Sequence, residues 1–282
     1  MKEIFMLFLN NSYSKILYFV YFCFFKIHYK IALFGINLFN KQRLKITKIK
    51  NKDNIYKLHD HKNFIYISST NRIVKYTRGI KARYLNLANC YFLNDIQFKS
   101  GDVIIDVGAN IGEIYKYFEY FLKLKIKYYA FEPNPSDFNA LKMNVYGKLW
   151  NIGILDKNSE LNFNVLTDTA DSNFIKFKDR NNISIIVKVM KLDSIKFPQK
   201  IKLIKIDTES LEYKVLKCGE ETLKKTEFVS IDVSDETPGL DFFKYKKKIV
   251  SFLKKNNFSI KGEYLQNSRN CILFKNNKIS KS

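Results

Sequence analysis

The residues most suited to chemistry begin with a glycine-rich turn, Asp106-Val-Gly-Ala-Asn-Ile-Gly112, which follows a short apolar run and precedes a helical pattern. Gly108 allows a sharp turn close to a ligand, and Gly112 lets the helix start close to the strand. Ala109 and Asn110 lie between them, where the helix N-terminus offers backbone N–H groups. The absence of a G-K-[ST] motif and the acid Asp106 at the strand end favour a cationic or hydroxyl-bearing ligand over a pyrophosphate.

A second acid, Glu132, ends the next predicted strand, 20 residues beyond Gly112. A carboxylate at this spacing can accept hydrogen bonds from both hydroxyls of a ribose. Such a contact selects a nucleoside without requiring a phosphate. Pro133 and Pro135 stiffen the loop that carries this acid.

A third acidic segment, Asp207-Thr-Glu209, ends a later strand and opens the following helix. In a doubly wound sheet the ligand crevice lies outside the carboxyl ends of the strands, so Asp106, Glu132 and Asp207 converge on one edge. Glu209 and Glu212 also admit a plainer explanation, because acids near a helix N-terminus stabilise the helix electrostatically.

Strands that alternate with helices position these acids. The apolar runs predict strands, with helical stretches between them, at residues 103–107, 127–131, 149–154, 201–206 and 228–233. The alternation predicts an α/β fold with a doubly wound, Rossmann-like sheet that is mostly parallel. Two last strands, 258–264 and 270–274, are separated by a short turn, which makes the C-terminal strand antiparallel.

The chain before and between these elements is less regular. Residues 161–166 and 183–192 are strand-like, and short strands are predicted at 64–68 and 72–76. Ahead of them lies a basic extension that we expect to be helical. The predicted organisation is therefore an N-terminal extension, 1–63, and one domain, 64–282.

Four stretches together resemble the FkbM family of S-adenosylmethionine-dependent methyltransferases, which has the class I methyltransferase fold. They are GDVIIDVGANIGE (101–113), YAFEPNP (129–135), KLDSI (191–195) and LIKIDTESLEYKVLKCGEETL (203–223). The resemblance implies that the Asp106–Gly112 turn holds the methionine part of the cofactor and Glu132 its ribose. It also implies an adenine contact near Asp156, a methyl-transfer site bordered by Asp207 and Glu209, and O-methylation of sugars or glycans.

One position departs from the family pattern, which has Gly after the Glu of its K-x-D-x-E segment where this chain has Ser210. A glycine there could serve a positive φ or a close ligand approach. We expect position 210 to be helical already, which makes serine harmless.

A carboxylate near the acceptor hydroxyl could take its proton as the oxygen attacks. Asp207 and Glu209 are the candidates, and Asp171 is a more remote one. The matched motifs contain no histidine, so a histidine base is not expected. No residue cluster has the spacing of a metal site, and no metal is predicted.

The net charge of +22 is unevenly distributed. Residues 1–99 hold 18 basic and 4 acidic residues, a net charge of +14, and residues 100–282 hold 31 and 23, a net charge of +8. Only 6 of the 49 basic residues are arginine, which argues against nucleic acid as the partner.

The basic front, residues 1–52, also carries two apolar runs that are each too short to span a bilayer. It could pack on the domain or in an oligomer interface, lie in the interface of an anionic membrane, or span one. The expected protein is cytoplasmic, or peripheral at the inner face of the membrane, and acts on a saccharide or glycan, free or lipid-linked. The alternatives are an RNA methyltransferase and a non-catalytic, membrane-associated member of the family.

Overall fold

The computed structural model describes residues 29–39, 43–52, 54–166, 172–173, 182–233, 241–266 and 269–279. The chain divides into two units, one of residues 1–83 with 168–170, the other of residues 84–167 with 171–282. The sequence-based boundary after residue 63 stays a prediction. The candidate base Asp171 lies outside the described residues, as does the first apolar run of the front segment.

In the described part of the first unit, an α-helix precedes a small antiparallel sheet and a 3₁₀ helix. Its elements are α1 (Tyr29–Phe39), β1 (Lys45–Lys48), β2 (Tyr56–His59) and β3 (Phe64–Ile67), and the sheet order is β1-β2-β3. The expected helical extension therefore holds for α1 but not for residues 45–59, where a three-stranded sheet pairs every residue of β1 and β2. The predicted strand at 72–76 is wrong as well. Thr70–Tyr76 is a 3₁₀ helix, because the Ser69 hydroxyl accepts a hydrogen bond from the Asn71 N–H and starts a helical turn.

The second unit is built on a seven-stranded sheet of order β13-β14-β12-β11-β4-β5-β6. In chain order its strands are β4 (Val103–Val107), β5 (Lys127–Phe131), β6 (Lys148–Trp150), β11 (Ile201–Ile206), β12 (Thr226–Asp232), β13 (Phe258–Gln266) and β14 (Arg269–Asn276). Five neighbouring strands are parallel to one another: β12, β11, β4, β5 and β6. β14 pairs antiparallel with both β12 and β13. The predicted doubly wound, mostly parallel sheet is confirmed.

Helices cover both faces of this sheet. The α-helices are α2 (Ile80–Cys90), which belongs to this unit from residue 84, α3 (Glu113–Tyr117), α4 (Pro135–Asn144), α5 (Glu212–Lys217), α6 (Glu220–Lys224) and α7 (Phe242–Lys255). Successive residues of β4 join different apolar layers. Ile105 packs in the layer with Val215 and Leu253, and Ile104 packs in the layer with Leu141. Every residue of β4 is buried, which explains why all but Asp106 are apolar.

A second sheet of four strands lies in the middle of the chain. Its strands are β7 (Gly153–Ile154), β8 (Ser159–Leu166), β9 (Ser172–Asn173) and β10 (Asn182–Met190), in the order β7-β10-β8-β9. The strand predicted at 149–154 is in fact two short strands. β6 completes the large sheet, whereas β7 pairs with β10.

No helix among the described ranges combines the length and apolar character needed to cross a bilayer.

The strand order reverses direction between β4 and β11. From β4 the chain proceeds to β5 and β6 on one side, and it returns to β11 and β12 on the other. A ligand crevice forms at such a switch point, outside the carboxyl ends of the two strands. Asp106 lies one residue before the end of β4, and Asp207 directly follows β11.

Candidate active site

The glycine-rich turn links β4 to α3 through residues with positive φ. Gly108 has φ +77° and Gly112 has φ +86°, and Asn110 between them has φ 53°. The Gly108 and Ala109 N–H groups both donate to the Phe131 carbonyl, each at 3.0 Å, which ties the turn to the end of β5. The left-handed conformation at both glycines explains why this motif needs residues without a side chain there.

Gly108 also brings the turn against the end of β11. A Cβ atom at this position would lie 1.9 Å from the Asp207 carbonyl oxygen, a distance that no side chain tolerates. The Asp207 N–H donates to the Val107 carbonyl at 3.0 Å. The glycine-rich turn and the Asp207 segment are therefore in direct backbone contact.

Glu132 lies at the carboxyl end of β5 and is held by the loops on both sides of it. Its Oε2 accepts from the Asn110 N–H and its Oε1 from the Asn134 N–H, each at 2.8 Å. Asn134 in turn caps α4, since its side chain accepts from the Ser136 N–H at 3.1 Å. The predicted ribose carboxylate thus has a fixed position beside the glycine-rich turn.

Asp106 lies beneath the turn, not facing the ligand region as the sequence suggested. Its side chain is fully buried, where Oδ2 accepts from the Tyr128 hydroxyl and Oδ1 lies 3.0 Å from Lys205 Nζ. Lys205 also donates to the Gly108 carbonyl at 2.7 Å. Asp106 therefore supports the turn through Lys205, and its direct contact with a cofactor stays a prediction.

Burial alone would lower the pKa of Lys205, but the neighbouring carboxylates of Asp106 and Asp207 raise it above its ordinary value. Burial raises the pKa of Tyr128 well above its usual range, and the Asp106 charge adds to that. Lys205 is therefore a permanent cation between the two strand ends, and Tyr128 stays a hydrogen-bond donor.

Asp207 is at the centre of a second polar network. Its Oδ2 accepts from the Tyr91 hydroxyl at 2.5 Å and lies 3.4 Å from Arg269 Nη1 and 3.8 Å from Lys205 Nζ. Arg269 Nη1 also donates to the Tyr91 oxygen at 2.6 Å and to Asp232 Oδ2 at 2.7 Å. Residues from four parts of the fold therefore surround one carboxylate. They come from the residue that follows α2, from β11, from β12 and from β14.

This network keeps Asp207 ionised. Burial would raise the pKa of the carboxyl group, but the charges of Lys205 and Arg269 and the hydrogen bond from Tyr91 lower it to about 2. The side chain is 20% exposed, so the carboxylate is not fully closed off from solvent. Asp207 is thus an oriented negative charge that can accept a hydrogen bond from a bound ligand.

Glu209 and Ser210 both have a left-handed backbone, with φ 51° and 73°. The expectation that position 210 is helical is wrong, because α5 begins only at Glu212. The turn from Asp207 to Leu211 requires a positive φ at this position, which glycine adopts without strain and serine does not. The Ser210 hydroxyl is buried and has no hydrogen-bond partner, so it does not offset that strain.

Glu212 holds this turn in place. Its Oε1 accepts from the Thr208 N–H at 3.0 Å and from the Ser210 N–H at 3.1 Å. Its Oε2 accepts from the Tyr245 hydroxyl at 2.7 Å. Burial raises the pKa of this carboxyl group to about 7, although these hydrogen bonds lower it. Electrostatic stabilisation of a helix N-terminus is therefore not the main role of Glu212.

Asp156, the predicted adenine contact, is exposed in the loop that follows β7. Nearby, the Asn151 side-chain amide donates to the Glu132 carbonyl at 2.8 Å and to the Pro133 carbonyl at 3.0 Å. The segment after β6 is therefore attached to the Glu132 loop, but the role of Asp156 stays a prediction.

Three residues that contact Asp207 were not singled out from the sequence: Tyr91, Lys205 and Arg269. Lys205 stands in the K-x-D-x-E segment, so its position two residues before Asp207 was available as a signal. Tyr91 and Arg269 are distant from Asp207 in the chain, and nothing local distinguishes them.

Within the described ranges, no group of three or more His, Cys, Asp or Glu side chains is arranged to hold a metal ion.

A family profile described as the methyltransferase FkbM domain matches residues 106–260, more than half of the chain. The 2-O-methyltransferase NoeI of Sinorhizobium fredii is 26% identical over 198 residues, which cover 62% of this chain and 81% of that protein. The 31-O-demethyl-FK506 methyltransferase FkbM of Streptomyces tacrolimicus is 40% identical over 55 residues, 20% of this chain and 21% of that protein.

Among solved structures, that of methyltransferase FkbM from Methylobacillus flagellatus is 18% identical, with a TM-score of 0.47 over 73% of this chain and 52% of that one. The chain therefore spans about a fifth of the Streptomyces relative and about half of this structure.

Proposed function

Because this chain belongs to the methyltransferase FkbM family, we propose that it is an S-adenosylmethionine-dependent O-methyltransferase that methylates a hydroxyl of a saccharide or glycan. The family makes the chain a methyltransferase, and the donor and the acceptor are our proposal. The observation that carries it is the convergence of the Gly108 turn, Glu132 and Asp207 at the switch point of one parallel sheet.

The residues at this edge fit the proposed donor. Bound S-adenosylmethionine would supply a methyl group on a positively charged sulfur. Glu132 can accept hydrogen bonds from the ribose hydroxyls, since a carboxylate has about four acceptor sites and the Asn110 and Asn134 amides fix its orientation. The turn from Gly108 to Gly112 would hold the methionine part, and Lys205 keeps that turn against β11.

The residues around Asp207 fit a hydroxyl-bearing acceptor. The Asp207 carboxylate stays ionised at neutral pH and is partly exposed, so it can orient an acceptor hydroxyl and receive its proton as the oxygen is methylated. Such a weakly basic carboxylate contributes mainly by orientation, which can lower a barrier substantially. The names of the two curated relatives specify 2-O and 31-O positions, which supports oxygen as the methylated atom. The proposal includes both free and lipid-linked acceptors.

Calorimetry with S-adenosylhomocysteine tests the donor. We expect the wild-type protein to bind it, and Glu132→Gln to weaken binding by about 10-fold or more, since one charge-assisted contact is lost. Asp207→Asn serves as the matched control, because it should retain binding. Absence of binding to the wild-type protein contradicts the proposed donor.

Transfer of a labelled methyl group to a panel of neutral saccharides, lipid-linked saccharides and RNA tests the acceptor. We expect labelling of a saccharide that Asp207→Asn abolishes. Labelling of RNA alone, with the saccharides unlabelled, would replace the proposed acceptor by the nucleic-acid alternative.

A further inference from the structure

Helix α7, Phe242–Lys255, carries six lysines and no acidic residue. Its inner side is formed by the buried Ile249 and Leu253. At about 100° per residue, seven positions fall on the arc opposite these two. All seven are exposed, and we call them the α7 basic face: Phe243, Lys244, Lys247, Lys248, Ser251, Lys254 and Lys255.

An aromatic side chain stands within this cationic face. Phe243 is 80% exposed in the first turn of the helix, and Lys247 follows it one turn later on the same side. One exposed apolar residue is ordinary by itself. Five clustered lysines around one exposed aromatic side chain, on a helix without acids, form a cationic surface of the kind that an anionic lipid leaflet attracts.

The first turn of α7 lies next to the candidate active site. Tyr245, in the first turn of α7, donates its hydroxyl proton to Glu212 and accepts from the Tyr213 N–H at 3.2 Å. Glu212 is the residue that holds the turn after Asp207. The exposed lysines Lys214 and Lys217 of α5 extend the positive surface beside α7.

We propose that the α7 basic face docks this protein on an anionic phospholipid bilayer, with Phe243 entering the lipid interface. Charge complementarity supports an anionic bilayer as the partner, because each lysine near an anionic leaflet strengthens the adsorption of the protein. The face contains no arginine, the side chain that nucleic-acid sites favour, so a bilayer fits it better than RNA. Docking here would bring the first turn of α7, which contacts Glu212 through Tyr245, to the membrane surface, and it does not depend on which donor or acceptor the site uses.

The experiment measures flotation of the full chain with vesicles of phosphatidylcholine, with and without about one third phosphatidylglycerol. The first variant, Lys244→Gln/Lys247→Gln/Lys254→Gln, removes three charges from the α7 basic face. The second, Phe243→Ser, removes the aromatic anchor. The matched control, Lys99→Gln/Lys125→Gln/Lys127→Gln, removes three exposed charges at the amino edge of the sheet, where β4 and β5 begin.

We expect the wild-type chain and the amino-edge control to float with anionic vesicles only, and binding to weaken with salt. The α7 triple variant should lose about 100-fold in partition coefficient at low salt. Phe243→Ser should weaken binding even at high salt, since its contribution is apolar. Equal flotation of the α7 triple variant and the amino-edge control overturns the proposal. So does a wild-type chain that ignores vesicles, or that binds RNA through these lysines instead.

Discussion

The protonation state of Asp207 is set by the residues that contact its carboxylate. Tyr91 and Arg269 both contact it, and Arg269 is itself fixed by Asp232, which is 3% exposed. The charged or titratable groups that interact with Asp207 are Tyr91, Lys205, Glu212 and Arg269. Because the two cations outweigh the effect of burial, the pKa of Asp207 is low, and the carboxylate does not change its charge near neutral pH.

Replacement of Arg269 by glutamine should make the reaction sensitive to acid. Loss of the nearby guanidinium charge raises the pKa of Asp207 by about 1–2 units. The pH profile of kcat/KM, measured with the best saccharide acceptor, should be flat for the wild type and fall on the acid side for Arg269→Gln. Arg269→Lys should restore the flat profile. Lys246→Gln is the control, because it removes a cation that pairs with Glu263 on the surface. A flat profile for Arg269→Gln would show that Arg269 does not act through Asp207.

Replacement of Ser210 by glycine should stabilise the protein. The serine has φ 73° and a buried hydroxyl without a partner, so glycine removes both strain and an unsatisfied polar atom. The free energy of unfolding should rise by about 1 kcal/mol, because a left-handed residue with a Cβ costs about that amount. Urea denaturation of Ser210→Gly and Ser210→Ala separates the two causes, since alanine removes the hydroxyl and keeps the strain. A stabilisation of the same size in both variants would contradict the strain at position 210.

At the scale of elements, the turn between β11 and α5 depends on the carboxyl group of Glu212, whose pKa is raised to about 7. In the unfolded chain this group titrates near 4.5. The folded state therefore binds its proton more tightly, and the resulting stability is fully present below the unfolded pKa and is lost as the pH rises through 7.

The wild-type protein should consequently lose more stability between pH 5 and pH 8 than Glu212→Gln does. Glutamine keeps an acceptor for the Thr208 and Ser210 amides but cannot ionise. Between pH 5 and pH 8, the wild type should lose about 2 kcal/mol more of its free energy of unfolding than Glu212→Gln does. Urea denaturation of both proteins at the two pH values measures it, and parallel losses would show that Glu212 does not titrate in this range.

The elements that the sequence predicted well are those whose signal is local. β4 and β11 are mostly apolar segments with an acid near their carboxyl ends, Asp106 within β4 and Asp207 directly after β11. The turn after β4 shows its need for positive φ through Gly108 and Gly112. Position 210 carries no such signal, because serine gives no sign of a left-handed backbone. The division of 149–154 into β6 and β7 was equally hidden, since it depends on pairing with β10, about 35 residues later.

At the scale of the whole molecule, the site combines segments that are far apart in the chain. Tyr91 and Arg269 meet at a distance of 2.6 Å although 178 residues separate them. Their contact exists because β14 enters the sheet antiparallel beside β12, which places Arg269 at the edge where the parallel strands end. The sequence predicts that edge from strand–helix alternation, but not which side chains of a late antiparallel strand reach it.

The net charge of +22 should make the stability of the whole chain depend on salt. Added salt screens the repulsion among like charges in the folded state, which stabilises it. Added salt also weakens exposed ion pairs such as Lys224–Glu221, which has the opposite effect. Each exposed pair contributes at most about 1 kcal/mol, so repulsion among the excess lysines should be the larger effect.

We expect sodium chloride, raised from low to about physiological concentration, to increase the Tm by about 2–4 °C. The two triple lysine variants, at α7 and at the amino edge, should both be more stable than the wild type at low salt and respond less to added salt. Sucrose at matched osmolality is the control, because it does not screen charge. A Tm that falls with salt would mean that ion pairs, and not the excess of lysine, dominate the electrostatics of this fold.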